Sequence, residues 1–108
     1  MSATRKERIP ERLRSLVCLD AFVLVQHGYY RKAAMWLDVL HAFGDRSEHV
    51  LFTRTVANFL AGDYPRALVC LDEIDEAYPM ERFGRRETPK KHDVRRYMRL
   101  RIDRELKN

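Results

Sequence analysis

Apolar side chains recur with the period of an α-helix in five stretches of this chain. The pattern predicts helices over about 10–26, 30–43, 47–61, 64–77 and 89–106. Gly28, Gly44 and Gly62 stand where the first three end, and Pro79 follows the fourth. Asp45 or Ser47 is placed to cap the third helix, Asp63 the fourth and Thr88 the fifth. The sequence therefore predicts an all-α protein.

Two segments of the chain are related at a constant offset of 34 residues. Residues 28–38 read GYYRKAAMWLD and residues 62–72 read GDYPRALVCLD. The identical pairs are Gly28/Gly62, Tyr30/Tyr64, Ala33/Ala67, Leu37/Leu71 and Asp38/Asp72. A period of about 34 residues is typical of a helix–turn–helix repeat. We therefore predict a single domain over 1–108, with repeat one over about 14–47, repeat two over about 48–81 and a basic capping helix over about 89–106.

These repeats resemble tetratricopeptide repeats over about 13–80. The second copy carries the Gly-Asp-Tyr-x-x-Ala turn of that family and its terminal proline, as Gly62, Asp63, Tyr64, Ala67 and Pro79. The first helix of each pair departs from the family pattern, with Val17, Asp20, Ala21 and Leu24 and then Leu51, Arg54, Thr55 and Asn58 at the positions concerned. The resemblance implies two antiparallel helix pairs closed by a C-terminal helix, which is a fragment of an α-solenoid.

Two such repeats and one further helix in 108 residues also resemble the small chaperones of bacterial type III secretion systems. That resemblance implies a non-catalytic protein that binds a needle subunit or another small early export substrate in the cytosol, as a hetero-oligomer. The motifs do not distinguish these two subgroups. A general scaffold module for another protein is the alternative within the same class.

In this family the first helix of each pair lines a groove that receives the partner. The corresponding positions here are Cys18, Phe22, Val25, Gln26, His49, Phe52, Val56, Phe59 and Leu60. Spacing independently places Phe52, Val56 and Phe59 on one side of a helix, at i, i+4 and i+7. Such a groove fits an amphipathic helix. Alternatively, the fifth helix or the N-terminal arm folds over this face and buries it.

A second apolar stripe, formed by Trp36, Val39 and Phe43, lies on the second predicted helix. We interpret it as core that packs against a neighbouring helix. If it were exposed, it would indicate a second interface, because large exposed apolar patches usually mark contacts.

Charge is divided unevenly along the chain. The net charge is +5, but residues 17–81 carry five basic and ten acidic side chains, and residues 82–108 carry eleven basic and four acidic ones. We interpret the arginines of the fifth helix as a solvated face, with Val94, Tyr97, Met98, Ile102 and Leu106 on its buried side. If these arginines contacted phosphates, the protein would bind nucleic acid. This is the less favoured alternative.

Four carboxylates crowd the end of the fourth helix, at Asp72, Glu73, Asp75 and Glu76. We interpret them as a solvated face whose charge is offset by Arg82, Arg85, Arg86 and Lys90. No catalytic residues, cofactor or metal site are predicted, because the histidines lack ligand spacing and the glycines stand singly. Cys18 and Cys70 are predicted to be free thiols, and no stretch is long and apolar enough to span a membrane, which favours the cytoplasm.

Overall fold

The computed structural model describes residues 10–80 and 89–107, and for residues 89–92 it describes the backbone alone. Five helices are described. They are α1 (Glu11–Gln26), α2 (Tyr30–Ala42), α3 (Glu48–Leu60), α4 (Tyr64–Ala77) and α5 (Pro89–Lys107). The ends agree with the sequence-based boundaries to within one residue, and the all-α fold class is confirmed.

Local chemistry explains where the helices begin and end. Gly28 and Gly62 adopt φ values of +84° and +82°, a region that side-chain-bearing residues rarely enter, and each stands two residues after the last residue of a helix. The Ser47 hydroxyl accepts a hydrogen bond from the Val50 amide at 3.4 Å, and the Asp63 carboxylate accepts one from the Arg66 amide at 3.3 Å. The predicted caps of the third and fourth helices are thus confirmed, whereas Thr88 lies outside the described residues.

Each helix packs on the next one along the chain, and α1 also touches α3. This is the arrangement of a helical-repeat fragment. Among the described residues the core has two parts. One contains Ala21, Ala33, Ala34, Leu37, Leu40, Val50 and Ala57, and the other contains Leu51, Ala67, Leu71, Ile74, Met98 and Ile102. The repeated alanines, Ala33 and Ala67, are both fully buried, so they permit the close helix approach that the repeat predicted.

Helix α5 turns a different side inward from the one predicted. Of the five side chains assigned to its buried face, Met98 and Ile102 are buried, whereas the other three are exposed. Arg95 takes their place with 2% of its surface exposed. Its Nη1 donates to Asp75 Oδ1 and to the Tyr78 carbonyl, each at 2.9 Å, and its Nη2 lies 3.6 Å from a Glu48 carboxylate oxygen. Because this cation points inward, α5 is rotated about its axis relative to the predicted orientation. The contacts of Arg95 connect α5 to α3 and α4.

Three of the four carboxylates at the end of α4 are paired, and the interpretation as a solvated face is wrong for Glu73 and Asp75, which are partly buried, whereas Asp72 is paired but exposed. Arg99 Nη2 donates to Asp72 at 2.9 Å and to Asp75 at 2.7 Å, and Glu73 is paired with three basic side chains. Glu76 is exposed. Arg82, Arg85 and Arg86 lie outside the described residues, as does the side chain of Lys90.

A polar network around Glu73 joins α2, α3 and α4. Its two carboxylate oxygens lie 2.9 Å from His41 Nε2, and Arg54 Nη1 donates to it at 3.2 Å. Arg54 Nε also donates to Asp38 at 2.8 Å. Partial burial alone raises the pKa of the Glu73 carboxyl, but the hydrogen bond from His41 and the charges of His41, Arg54 and Arg46 outweigh it, so the pKa lies below its ordinary value.

We expect Glu73→Gln to destabilise the protein at neutral pH and to lose that effect in acid. A carboxyl whose pKa is lower in the folded state stabilises above its unfolded pKa of about 4.3, and this stabilisation is lost as pH falls through the folded value. Urea unfolding of the variant and of the unmodified protein, at pH 7 and at progressively lower pH, measures the gap between their free energies of unfolding. The exposed Glu76→Gln is the matched control, and a gap for Glu73→Gln that stays constant down to acid pH would contradict the assignment.

Candidate protein-binding face

The outer side of α3 carries a row of apolar and aromatic side chains. Phe52, Val56 and Phe59 are half-buried and pack over the core part that contains Leu51. His49 and Leu60, at the two ends of the row, are exposed. The opposite side of the helix is directed inward. This orientation is set by the fully buried Ala57 and Thr55 and the nearly buried Asn58.

Helix α1 joins this row through Phe22. The Phe22 ring lies 6.4 Å from the His49 ring, centroid to centroid, at a tilt of 47°. Gln26 is exposed one turn further on, whereas Cys18 and Val25 are partly buried against the core. The structure therefore brings Phe22 to the α3 row and places Cys18 and Val25 closer to the scaffold.

The thiol of Cys18 is not activated as a nucleophile. Burial raises its pKa, and the negative charge of Asp45 raises it further. Burial likewise raises the pKa of the Cys70 thiol, although Arg54 opposes the shift. Both cysteines are free. Thiols with raised pKa values stay protonated near neutral pH and are poor nucleophiles.

Helix α5 extends the row at one end through Tyr97, whereas the sequence-based alternative was that this helix buries the face. Tyr97 packs edge-on against Phe59 with ring centroids 6.1 Å apart, although the sequence analysis assigned it to the buried side of the helix. Tyr97, Leu100, Arg101 and Arg104 line a hollow of about 350 Å³. Their spacing of i, i+3, i+4 and i+7 places them on one side of α5. This spacing could have identified them as a common surface from the sequence.

Together these side chains form a surface that crosses three helices, which we call the apolar strip. It consists of Phe22, His49, Phe52, Val56, Phe59, Leu60 and Tyr97. Phe22 is 40% exposed and Leu60 44% exposed. Helix α5 therefore borders the strip through Tyr97 and leaves its other end open. Residues 1–9, the other predicted cover, lie outside the described residues.

The border of the strip on α5 is positively charged. Arg101 Nη1 donates to the Tyr97 hydroxyl at 3.1 Å, and its Nε donates to Glu105 at 3.2 Å. These two hydrogen bonds, with Tyr97 the larger cause, raise the pKa of Arg101, so it keeps its charge. Arg104 is exposed and has no ion-pair partner among residues 10–80 and 93–107. An acidic side chain on a partner would meet a cation here.

No protein-family model, curated protein or solved structure matches this chain. In the described part of the chain, no group of three or more His, Cys, Asp or Glu side chains could hold a metal ion. None of the described helices is long and apolar enough to cross a membrane.

The stripe on α2 is on the surface, so its interpretation as core is wrong. Trp36, Val39 and Phe43 are between 41% and 47% exposed. The physical reason is the orientation of α2, whose inner side is occupied by Ala33, Leu37 and the neighbouring residues of the first core part. An exposed stripe of this kind indicates a second interface.

Most arginines of α5 whose side chains are described already have carboxylate partners within the chain. Arg95 and Arg99 bind Asp75, Arg96 is paired with Asp93 at 3.3 Å, and Arg101 is paired with Glu105 at 3.2 Å. Phosphate binding would have to compete with these contacts, since nucleic-acid affinity comes from cations that neutralise phosphates. This arrangement weighs against phosphate binding by these four arginines.

Proposed function

We propose that this protein is a non-catalytic chaperone that binds an amphipathic helix of another protein across the apolar strip. The observation that supports this most strongly is the continuity of the strip. Ring contacts at 6.4 Å and 6.1 Å connect α1 to α3 and α3 to α5. Contiguous exposed apolar side chains on a protein surface often mark an interaction site.

An amphipathic helix fits the strip because it presents apolar anchors at i, i+3, i+4 and i+7 in a row. Burying each anchor contributes about 1.5–3 kcal/mol, from which the costs of ordering the helix and of association are subtracted. Arg101 and Arg104 add a preference for a helix with acidic residues on the side that faces α5. The proposed partner is therefore an apolar-striped helix with an acidic flank.

The resemblance to small type III secretion chaperones supports a narrower proposal for the partner. Under it, the helix belongs to a needle subunit or to another small early export substrate that the chaperone keeps unpolymerised in the cytoplasm as a hetero-oligomer. A general scaffold that binds a helix of a larger protein is the second candidate, and the exposed strip is equally compatible with it.

Purification of the tagged full chain from its native cytosol, followed by mass spectrometry, tests the proposal. We expect one small protein with a predicted amphipathic helix, at a fixed stoichiometry. A large, non-exported protein held by the strip would favour the scaffold. If nucleic acid copurifies and no protein does, the proposal fails.

A further inference from the structure

We infer that the outward side of α1 is the interface with a second copy of this chain. Leu16 and Leu19 are each 57% exposed and Leu13 is 47% exposed. Ala21 is fully buried and fixes the inward side of the helix, so Leu16 and Leu19 point away from the core. Exposed leucines in a continuous row indicate a contact with another protein.

The sequence of α1 is complementary to itself when read in the opposite direction, with Leu16 at the centre. Leu13 and Leu19 stand three residues before and after Leu16, and Arg12 and Asp20 stand four residues before and after it. In an antiparallel crossing of two α1 helices at Leu16, Leu13 meets Leu19 of the second copy and Arg12 meets Asp20. A twofold interface requires this kind of self-complementarity.

The charges select a second copy as the occupant. Arg12 and Asp20 are both exposed, and neither has an ion-pair partner among residues 10–80 and 93–107. A twofold axis at Leu16 pairs Arg12 of each copy with Asp20 of the other, so two ion pairs form. A second copy supplies this complementary arrangement from the sequence of α1 itself.

The same end of the molecule supplies further apolar surface from α2. Trp36 and Lys32 share a hollow of about 250 Å³ with Asp20, Val23 and Leu24. The exposed stripe of Trp36, Val39 and Phe43 thus begins beside the α1 row and enlarges it. A stable interface buries about 800 Å² on each partner. The α2 stripe adds apolar area to the α1 row.

The dimer contact centred on Leu16 does not use Phe22. Phe22 contacts His49 on α3 and stands three residues after Leu19, so the dimer interface and the apolar strip adjoin on α1. Dimer formation is measured without the partner of the strip, so the inference and the proposed function can fail separately.

Sedimentation velocity of the full chain over a concentration series tests the inference. We expect a species of twice the chain mass of 12.9 kDa and a monomer for Leu16→Asp. Arg12→Asp and Asp20→Arg should each raise the dimer dissociation constant at least about tenfold, because like charges then meet twice at the interface. The double variant Arg12→Asp/Asp20→Arg should return it to within about threefold of the unmodified chain, since the pair is restored in reverse.

Leu100→Asp is the matched control, because Leu100 is a 71% exposed leucine of α5 and its replacement should leave the dimer intact. Circular dichroism checks that every variant remains helical. A monomeric full chain at its highest soluble concentration would overturn the inference, as would a double variant that stays as weak as the single ones. If the full chain is monomeric and removal of residues 1–9 produces the dimer, the N-terminal segment is the occupant and the inference is wrong.

Discussion

Replacing Arg95 by glutamate is expected to destabilise the protein by about 3–5 kcal/mol, the range seen when one partner of a buried ion pair is lost. The new carboxylate would lie beside Asp75 and Glu48, with the Tyr78 carbonyl oxygen nearby. Three carboxylates and one carbonyl group would then share a site in which Arg95 is almost fully buried. We expect Met98 and Ile102 to lose their core contacts in this variant, because Arg95 connects α5 to α3 and α4.

Arg95→Met is the matched control for this prediction. It keeps most of the buried volume of the side chain and leaves Asp75 its ion pair with Arg99 at 2.7 Å, while the Glu48 carboxylate is 43% exposed and can be hydrated. We therefore expect a cost of only about 1–2 kcal/mol, mainly from lost hydrogen bonds. Chemical unfolding followed by circular dichroism measures both values. A glutamate variant as stable as the methionine variant would contradict the role assigned to this cation.

The helices and their order could be predicted from the sequence because the signals are local. A helical period, a capping Ser47 or Asp63 and a glycine such as Gly62 act within one or two turns of the chain. The repeat added long-range information, since buried Ala33 and Ala67 mark where helices approach closely. These signals agree with one another, and the five predicted helices are found within the described residues.

The rotation of α5 could not be predicted, because it depends on charges far apart in the sequence. Arg95 looks solvent-directed until Asp75 and Glu48 are brought to it by the packing of α3 and α4. Burial of an arginine requires partners that a helical pattern does not show. Asp38 and Asp72 illustrate the same limit. Their identity in the two repeats was visible, whereas their pairing with arginines was not.

The candidate site was predictable where one helix alone defines it. The α3 members follow from the spacing of Phe52, Val56 and Phe59, and the structure places them on one side. The part that crosses between helices was less predictable. Cys18 and Val25 face the core more than their spacing suggested, and Tyr97 joins the strip because α5 is rotated.

The double variant Phe22→Asp/Leu60→Asp should lose partner binding by at least about 100-fold, because it places two charges among the apolar anchors. Both side chains are exposed in the free protein, so the loss of folding stability should be small. Phe59→Asp is a less suitable probe, since Phe59 also packs against Tyr64 and Tyr97 at 5.8 Å and 6.1 Å and contributes to the fold.

Val69→Asp is the matched control for that variant. Val69 is 65% exposed and lies on α4, a helix that supplies no residue of the apolar strip. Quantitative copurification of the partner with each tagged variant, normalised to the chain, gives the binding ratio. Equal recovery of the partner by the double variant and by Val69→Asp would contradict the assignment of the strip.

Site-specific photo-crosslinking from the strip is the most direct test of the central claim. A photoreactive residue placed at Phe22 or at Leu60 is compared in the native cell with the same residue at Val69. We predict that crosslinks from Phe22 and Leu60 map to one side of a single amphipathic helix in one partner protein, and that Val69 gives none with it. Crosslinks from Val69 to that partner as strong as those from the strip, or crosslinks from the strip spread over unrelated proteins, would contradict the account.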